Sequence, residues 1–404
     1  MRGWKSNKSG AFSQRKSTFP MVIEGGRTTL YFGPWYRKSP FFDAAQRAGC
    51  YRYDLYNKMY IPSNFADPVE EYWHLVNHVT IWDVGCERQV EISGPDGYEF
   101  MEYLTPRDLS TCKVGQAKYV VLADEQGGLV NDPVLTRLAK NRFWLSTADS
   151  DVLLWAKGVA YHSAFDVELG EPDVSPMQVQ GPKSKQVLLS LVGPRVLDLE
   201  YYHFLEATID GIPVLVTRTG WSAEVGYEIY LRDGSRGTAL WDRVTDAGKP
   251  FNLRPTGPSE YRRIEAGILN YPSDINLEYN PYEAGLGWLV DLEKKHDFIG
   301  RTALKKIKKE GPKRKLVGVE VPGDEVVRPW LPHPWSVRKD GKEIGVLTAL
   351  AISPRLKKNI GYAWVPTPLS ILGTEIEIVT PAGPRSAIVV KRPFIDPKKE
   401  LPKS

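Results

Sequence analysis

The sequence predicts an α+β protein of several domains that ends in a small β-barrel. Its 404 residues, 42% hydrophobic and 25% charged, are enough for two or three hydrophobic cores. Strand-like and helix-like segments alternate up to about residue 295. Between Val317 and Val390 the chain changes to short strands divided by Gly and Pro, a pattern typical of a small barrel.

Composition excludes several classes of protein. Lys and Arg exceed Asp and Glu by only four, 53 against 49, so we expect no nucleic-acid partner. Cys50, Cys86 and Cys112 lie far apart without a CxxC pair, which argues against disulfides and structural zinc and suits a reducing, cytoplasmic location. An apolar run of about 18 residues is missing, so we expect no membrane span.

The elements of the first half follow from alternation and from breakers. The run Arg88–Ser93 alternates polar with apolar residues, Gly94–Gly97 breaks it, and a helix follows that ends before Pro106. The pattern predicts three strands, Tyr119–Ala123, Leu129–Leu135 and Asn141–Ser146, with a turn at Asp124–Gly128. Helices are predicted over Asp149–Ala164, with Leu153, Leu154 and Ala156 inward, and over Lys183–Leu191.

Domain boundaries follow from shifts in composition. Up to Phe19 the chain has five basic residues and no acid, which favours a loose tail over a transit peptide. Later segments predict strands at Ile212–Arg218 and Gly226–Leu231 and a helix at Ser235–Gly248. We divide the chain into an extension (1–45), two αβ segments (46–171 and 172–300), a basic linker (301–316) and the barrel (317–404).

The sequence contains no clear motif for a metal site or for a covalent nucleophile. His74 and His78 are four residues apart, but no HExxH motif or carboxylate triad accompanies them, so an ordinary helix is the better interpretation and no metal is expected. The segment around Trp221 is not a GxSxG elbow, and Gly94–Gly97 is a turn instead of a phosphate loop.

The remaining polar motifs place charged or amide side chains beside glycines and aromatics, which suits an aromatic ligand with hydrogen-bonding edges. They are Gly127–Pro133, Gln178–Ser184, Arg218–Ser222 and Gly226–Tyr230. Together with Asn280–Trp288, Asp297–Arg301 and Leu347–Gly361, these segments resemble the aminomethyltransferase (glycine-cleavage T-protein) family of tetrahydrofolate enzymes. The resemblance covers nearly everything after Ala45. Tyr56–Met59, Trp82–Ser93 and Ala148–Val152 are more similar to its dimethylsulfoniopropionate demethylase subgroup, and Ser259-Glu260 replaces the Arg-Asp pair usual in aminomethyltransferases.

The resemblance implies a three-domain fold, tetrahydrofolate as methyl acceptor, and a set of folate-site residues. Glu228 would accept the N–H edge of the pterin, with Tyr230 beside it, instead of being an exposed strand carboxylate. Gln180 would add amide contacts, unless it only opens a helix, and Tyr119 would pack on the folate, unless it is an ordinary buried tyrosine. Asp132 resembles the catalytic aspartate, whose alternative is a turn that caps a strand.

The donor follows from the same resemblance and from the chemistry of onium groups. A sulfonium has no hydrogen-bond donor, so aromatic faces would select it, with Trp221 first and Tyr56 and Trp82 behind, although most tryptophans are core residues. Lys58 or Arg88 would pair with a donor carboxylate unless both are solvated surface residues.

These expectations combine into a tetrahydrofolate-dependent demethylase that moves a methyl group from a small onium carboxylate to N5. The alternatives are an aminomethyltransferase of glycine cleavage, an aromatic O-demethylase and a non-catalytic folate-binding protein. The expected partners are the small-molecule donor and the folate, and the sequence allows a homodimer without requiring one.

Overall fold

The computed structural model describes residues 32–326 and 334–404, of which residues 38–404 form one compact unit. The predicted basic tail up to Phe19 lies outside the described residues. Within the range assigned to the extension, α1 (Phe42–Arg47) is described, and its Ala44 and Ala45 pack into a hydrophobic core. Among the described residues, no helix combines the length and the apolar character needed to cross a bilayer.

Short strands and helices alternate in the first half of the described chain. After α1 these are β1 (Arg52–Tyr56), β2 (Met59–Asn64), α2 (Pro68–Asn77), β3 (Val79–Asp83), β4 (Gln89–Ser93), α3 (Gly97–Leu104), β5 (Ala117–Tyr119), β6 (Leu122–Ala123), β7 (Leu129–Asn131), β8 (Val134–Ala139), β9 (Arg142–Ser146), α4 (Val152–Tyr161) and β10 (Glu168–Gly170). Strands β10, β4, β9, β8 and β5 form an antiparallel sheet in that order, while β1 pairs with β2 and β6 with β7.

Helix α4 corrects one detail of the sequence analysis. Val152 and Ala156 are buried, whereas Leu154 is 65% exposed. Positions four residues apart share a face of a helix, and the position midway between them points to the opposite face. The inward orientation predicted for Leu154 is therefore wrong.

The second half contributes a larger sheet. Its elements are β11 (Ser175–Gln180), α5 (Ser184–Val192), β12 (Phe204–Ile209), β13 (Ile212–Thr217), β14 (Gly226–Leu231), α6 (Gly237–Gly248), β15 (Leu253–Pro255), α7 (Glu260–Glu265), α8 (Pro281–Ala284) and α9 (Arg301–Glu310). The sheet order is β12-β13-β14-β11-β3-β15, antiparallel except for the pair of β3 and β15. Because β3 lies between β11 and β15, this sheet joins both predicted αβ segments.

The closed C-terminal barrel confirms the predicted one. It consists of β16 (Arg314–Val321), β17 (Trp335–Lys339), β18 (Lys342–Ser353), β19 (Lys358–Pro366), β20 (Glu375–Thr380) and β21 (Gly383–Val390), and β16 pairs with both β19 and β21. Two aromatic residues of β19 fasten the barrel to the α7 region. Tyr362 donates to the carbonyl oxygen of Ile264 at 2.9 Å, and Trp364 donates to that of Asp274 at 3.0 Å.

Gln180 fixes the loop between β13 and β14. Its side chain is completely buried, its Nε2 donates to the carbonyl oxygen of Thr219 at 3.2 Å, and its Oε1 accepts from Ser222 at 2.6 Å. A Cβ on Gly220 or Gly226 would lie 2.2 Å from this carboxamide. The two glycines therefore make room for the amide that holds the loop against the sheet.

A buried ion pair joins the residues after α8 to α3. Lys294 Nζ lies 2.5 Å from Glu102 Oε2, and both side chains are fully buried. The ammonium also donates to the carbonyl oxygens of Glu102 and Thr105, at 2.8 and 2.9 Å. Removal of one partner would leave the other charge uncompensated in the interior.

We therefore expect Lys294→Met to lower the free energy of unfolding by about 3–5 kcal/mol. Lys294→Met combined with Glu102→Gln should recover part of this loss, because no isolated charge remains. Urea denaturation followed by fluorescence measures both, with Lys249→Met, at an exposed ion pair with Asp246, as a control that should change little. A double variant as unstable as Lys294→Met would contradict this explanation.

Candidate active site

A cavity of about 880 Å³ lies beside the six-stranded sheet, within the range typical of ligand sites. Its walls come from distant parts of the chain: the β1–β2 hairpin, β3 and the loop after it, the ends of β5 and β7, the middle of β11 and β14, the β13–β14 loop, the residues around α7, and the C-terminal segment. The cavity is therefore a product of the tertiary fold, and no single motif encodes it.

Glu228 is the most strongly held side chain of the cavity wall. It is 4% exposed and lies on β14. Its Oε1 accepts from Gln178 Nε2 at 2.7 Å, and its Oε2 accepts from the hydroxyls of Thr219 at 2.5 Å and Tyr230 at 2.9 Å, with Thr217 at 3.4 Å. Burial raises the pKa of Glu228 although these donors oppose the shift.

A second carboxylate, Glu87, lines the same cavity. It accepts from Ser146 Oγ at 3.3 Å. Burial first, and the charge of Glu228 second, raise the pKa of Glu87 well above its ordinary value. The two acids therefore disfavour each other's ionisation. No local pattern in the segment Trp82–Ser93 distinguishes Glu87, since only the fold brings it close to Glu228.

The two glutamines of β11 have different roles. Gln178 lines the cavity and pairs in register with Glu228 on one side and with Trp82 on the other. Gln180, the predicted folate contact, supports the β13–β14 loop and does not line the cavity. Alternation along β11 puts both side chains on one face, but Gln180 lies beneath the β13–β14 loop, whereas Gln178 lines the cavity.

Asp132 faces the cavity from the turn between β7 and β8. Its Oδ2 accepts from the Tyr119 hydroxyl at 2.8 Å, and burial raises the pKa of Asp132 to about 7. The neighbouring Asn131 holds the turn instead, because its Nδ2 donates to the carbonyl oxygen of Ala148 and to Ser150 Oγ. Because Asn131 holds the turn, the Asp132 carboxylate can face the cavity.

Aromatic side chains form another part of the wall. Trp221 is half-buried and packs with Trp82, Leu75 and Val84. The guanidinium carbon of Arg263 lies 5.8 Å from the centroid of the Trp221 ring. Tyr56 also lines the cavity, and its hydroxyl donates to the carbonyl oxygen of Tyr271 at 2.9 Å.

The positive charge of Arg263 is compensated by two buried acids. Arg263 forms buried ion pairs with Glu260 and with Asp274, the latter at 2.5 Å. Ser259 accepts from Arg262 N and caps α7. In this chain Ser259 and Glu260 therefore stabilise α7, the helix whose Arg263 lies against Trp221.

Two predicted donor contacts lie outside the cavity. Lys58 is exposed, with its Nζ 2.6 Å from Asp151 Oδ1, and Arg88 pairs with Glu171. Asp151 and Glu171 thus form ion pairs with the two cations that were predicted to bind the donor carboxylate. Among the described residues, the cavity thus brings together Glu228, Asp132, Tyr119, Tyr56, Trp82 and Trp221, but not Gln180, Tyr230, Lys58 or Arg88.

Comparison with known proteins places this geometry in context. The GCVT N-terminal domain model matches residues 41–294, and the model of the glycine cleavage T-protein C-terminal barrel domain matches residues 314–396. The dimethylsulfoniopropionate demethylase of Ruegeria pomeroyi is 36% identical over 353 residues, which cover 87% of this chain and 96% of the relative. The aminomethyltransferase of Bacillus subtilis is 32% identical over 367 residues, 89% of this chain and 99% of that one.

A solved structure has the same fold. The glycine cleavage system aminomethyltransferase T from Bartonella henselae superposes with a TM-score of 0.80 at 24% identity, over 89% of this chain and 98% of that chain. The two domain models, the full-length relatives and this shared fold agree, and the chain belongs to the glycine cleavage T-protein (aminomethyltransferase) family.

Proposed function

We propose that the protein transfers a methyl group from a small onium carboxylate, with dimethylsulfoniopropionate as the first candidate, to N5 of tetrahydrofolate. The observation that carries this proposal is the buried Glu228 carboxylate. It shares one cavity with Asp132 and with the aromatic wall formed by the two residues Trp82 and Trp221. The demethylase relative, at 36% identity against 32% for the Bacillus subtilis aminomethyltransferase, supports methyl transfer over aminomethyl transfer.

The wall around Glu228 suits the edge of a reduced pterin. A carboxylate has about four acceptor positions, and Oε1 of Glu228 receives only the Gln178 amide among the described residues, whereas Oε2 is crowded. A pterin N–H or amino group would therefore bind to Oε1 beside Gln178. Trp82 Nε1, buried and without a hydrogen-bond partner among the described residues, adds a donor on the same wall.

Asp132 supplies the base that methyl transfer requires. The methyl group moves from the onium sulfur to N5, the sulfur keeps the bonding electron pair and leaves as a neutral thioether, and the N5 proton must depart. A carboxyl with a pKa of about 7 is a suitable proton acceptor near neutral pH. The Tyr119 hydroxyl fixes its orientation.

The aromatic wall formed by Trp82 and Trp221 suits a cation that cannot donate hydrogen bonds. The guanidinium behind Trp221 is compensated by Glu260 and Asp274, so it adds little repulsion toward a cationic donor. A neutral methoxy-aromatic donor would gain only apolar contact there.

The test is an assay of the product. The protein is incubated with tetrahydrofolate and with dimethylsulfoniopropionate, glycine betaine or a methoxylated aromatic acid, and 5-methyltetrahydrofolate is measured by mass spectrometry. Product from the sulfonium donor is expected. Product only from the aromatic acid would indicate an O-demethylase, and bound folate without product from any donor would indicate a folate-binding protein without this activity.

We expect Glu228→Gln to weaken tetrahydrofolate binding by about 2–3 kcal/mol, because charge-assisted hydrogen bonds to the pterin become neutral ones. Calorimetric titration measures the change. Glu206→Gln, at an exposed carboxylate of β12 that pairs with Arg232, is the matched control and should bind like the parent. An unchanged dissociation constant for Glu228→Gln would remove the pterin assignment.

Asp132 predicts a pH dependence of the chemical step. Because its raised pKa is about 7, the carboxyl is protonated below that pH and becomes a base above it, so the single-turnover rate should rise through pH 7. Asp132→Asn should lower the rate by about 10²- to 10⁴-fold and abolish this rise. Folate affinity should change far less. A parental rate in Asp132→Asn would make the residue a structural turn.

Trp221 predicts how the donor is held. Trp221→Phe should be partly tolerated, whereas Trp221→Leu, which lacks a ring, should raise the apparent donor KM by about 5- to 30-fold. Donor KM at saturating folate measures both variants. Equal losses for Phe and Leu would count against contact between the ring face and a cation.

A further inference from the structure

The cavity must also neutralise the carboxylate of an onium carboxylate, and its own cations are the candidates. In the described part of the chain, the cationic side chains that line the cavity are Arg52, Arg392 and Lys399. Lys58 and Arg88 do not line the cavity, and each is paired with an acid outside it.

Arg52 and Arg392 already have partners. Arg52 lies 3.8 Å from Asp54 on the β1–β2 hairpin. Arg392 donates to the carbonyl oxygens of Leu316 and Ala284, and its charge acts on Tyr119, the partner of Asp132. Arg392 therefore belongs to the barrel junction and to the Asp132 side of the cavity.

Lys399 lies on the C-terminal segment, which runs beside the loop that carries Trp221. Arg218, three residues before Trp221, donates through Nη2 to the backbone oxygens of Lys403 at 2.9 Å and Ser404 at 2.6 Å. At the other end of the segment, the charge of Asp396 contributes, after burial, to the raised pKa of Glu224, three residues after Trp221. The hydrogen bonds of Arg218 on one side of Trp221 and the charge of Asp396 near Glu224 on the other side thus place the segment beside this loop.

The segment is internally ordered, so the position of Lys399 is defined. Asp396 caps the turn by accepting from the backbone N–H groups of Glu400 at 2.9 Å and Leu401 at 2.8 Å. Lys399 itself has φ 53°, in the left-handed region that favours glycine.

Lys399 lines the cavity although the residue is exposed, and among the described residues no acid compensates its ammonium. Partial desolvation lowers the pKa of Lys399, and the charge of Lys403 adds to the effect. Within residues 32–326 and 334–404, no carboxylate lies within 4.0 Å of its Nζ, unlike the paired Lys58 and Arg88. A carboxylate that entered the cavity would relieve both effects.

We propose that Lys399 binds the carboxylate of the methyl donor while the ring of Trp221 contacts its onium group. This assignment rests on the proposed function and specifies its substrate class as a zwitterion with one cationic and one anionic end. Different side chains of the cavity would then bind the two ends of the donor: aromatic faces bind the cation, and a single ammonium binds the carboxylate.

The test is calorimetric binding of dimethylsulfoniopropionate and of its methyl ester, which keeps the sulfonium but lacks the charge of the carboxylate. Lys399→Gln should weaken binding of the acid by about 10- to 30-fold and leave the ester unchanged. Lys399→Arg should retain most of the affinity for the acid. Lys398→Gln is the matched control, because Lys398 is also exposed and lies on the same segment but does not line the cavity.

Three results would overturn the inference: no preference of the parent protein for the acid over the ester, equal losses for both ligands in Lys399→Gln, or a loss confined to tetrahydrofolate. The last result would assign Lys399 to the glutamate carboxylates of folate. Failure of the proposed function is a separate result, since Lys399-dependent binding of the acid without formation of 5-methyltetrahydrofolate would retain the carboxylate contact and reject methyl transfer.

Discussion

The burial of one carboxylate, Glu228, organises this molecule. An ionisable group inside a sheet is stable only if hydrogen bonds replace its water, and the register of the strands supplies them. Gln178 on β11 and Thr217 on β13 stand directly opposite Glu228 on the two neighbouring strands, and Tyr230 follows two positions along β14 itself. The strand order β13-β14-β11 therefore brings the hydrogen-bond partners of Glu228 together.

The same register extends the site to its other walls. Trp82 of β3 is paired with Gln178 of β11, so the aromatic wall begins two strands away from the strand that carries Glu228. The β13–β14 loop carries Trp221, and Gln180 fixes that loop. Glu87, after β3, brings a second acid toward Glu228, and their mutual repulsion favours a single negative charge in the absence of a ligand. A ligand that donates hydrogen bonds to Glu228 would stabilise its ionised form.

The sequence predicted the architecture well, because alternation, breakers and family motifs are local signals. The C-terminal barrel and the strand that carries Glu228 were confirmed. Side-chain partners were less predictable, since Lys58 and Arg88 find Asp151 and Glu171 only after the chain folds. The sequence pointed to Gln180, whereas Gln178 lines the cavity, because alternation puts both on one face and only the loop distinguishes them. Lys399 carried no signal at all, because its contribution depends on where the C-terminal segment lies.

A crystal structure of the protein with tetrahydrofolate tests the central claim most directly, through the distance between the pterin and Glu228 Oε1. The account predicts a pterin nitrogen within about 3.2 Å of Oε1, with the Asp132 carboxylate on the N5 side of the ring. A well-ordered folate elsewhere in the cavity, with Glu228 bonded only to protein, would contradict it.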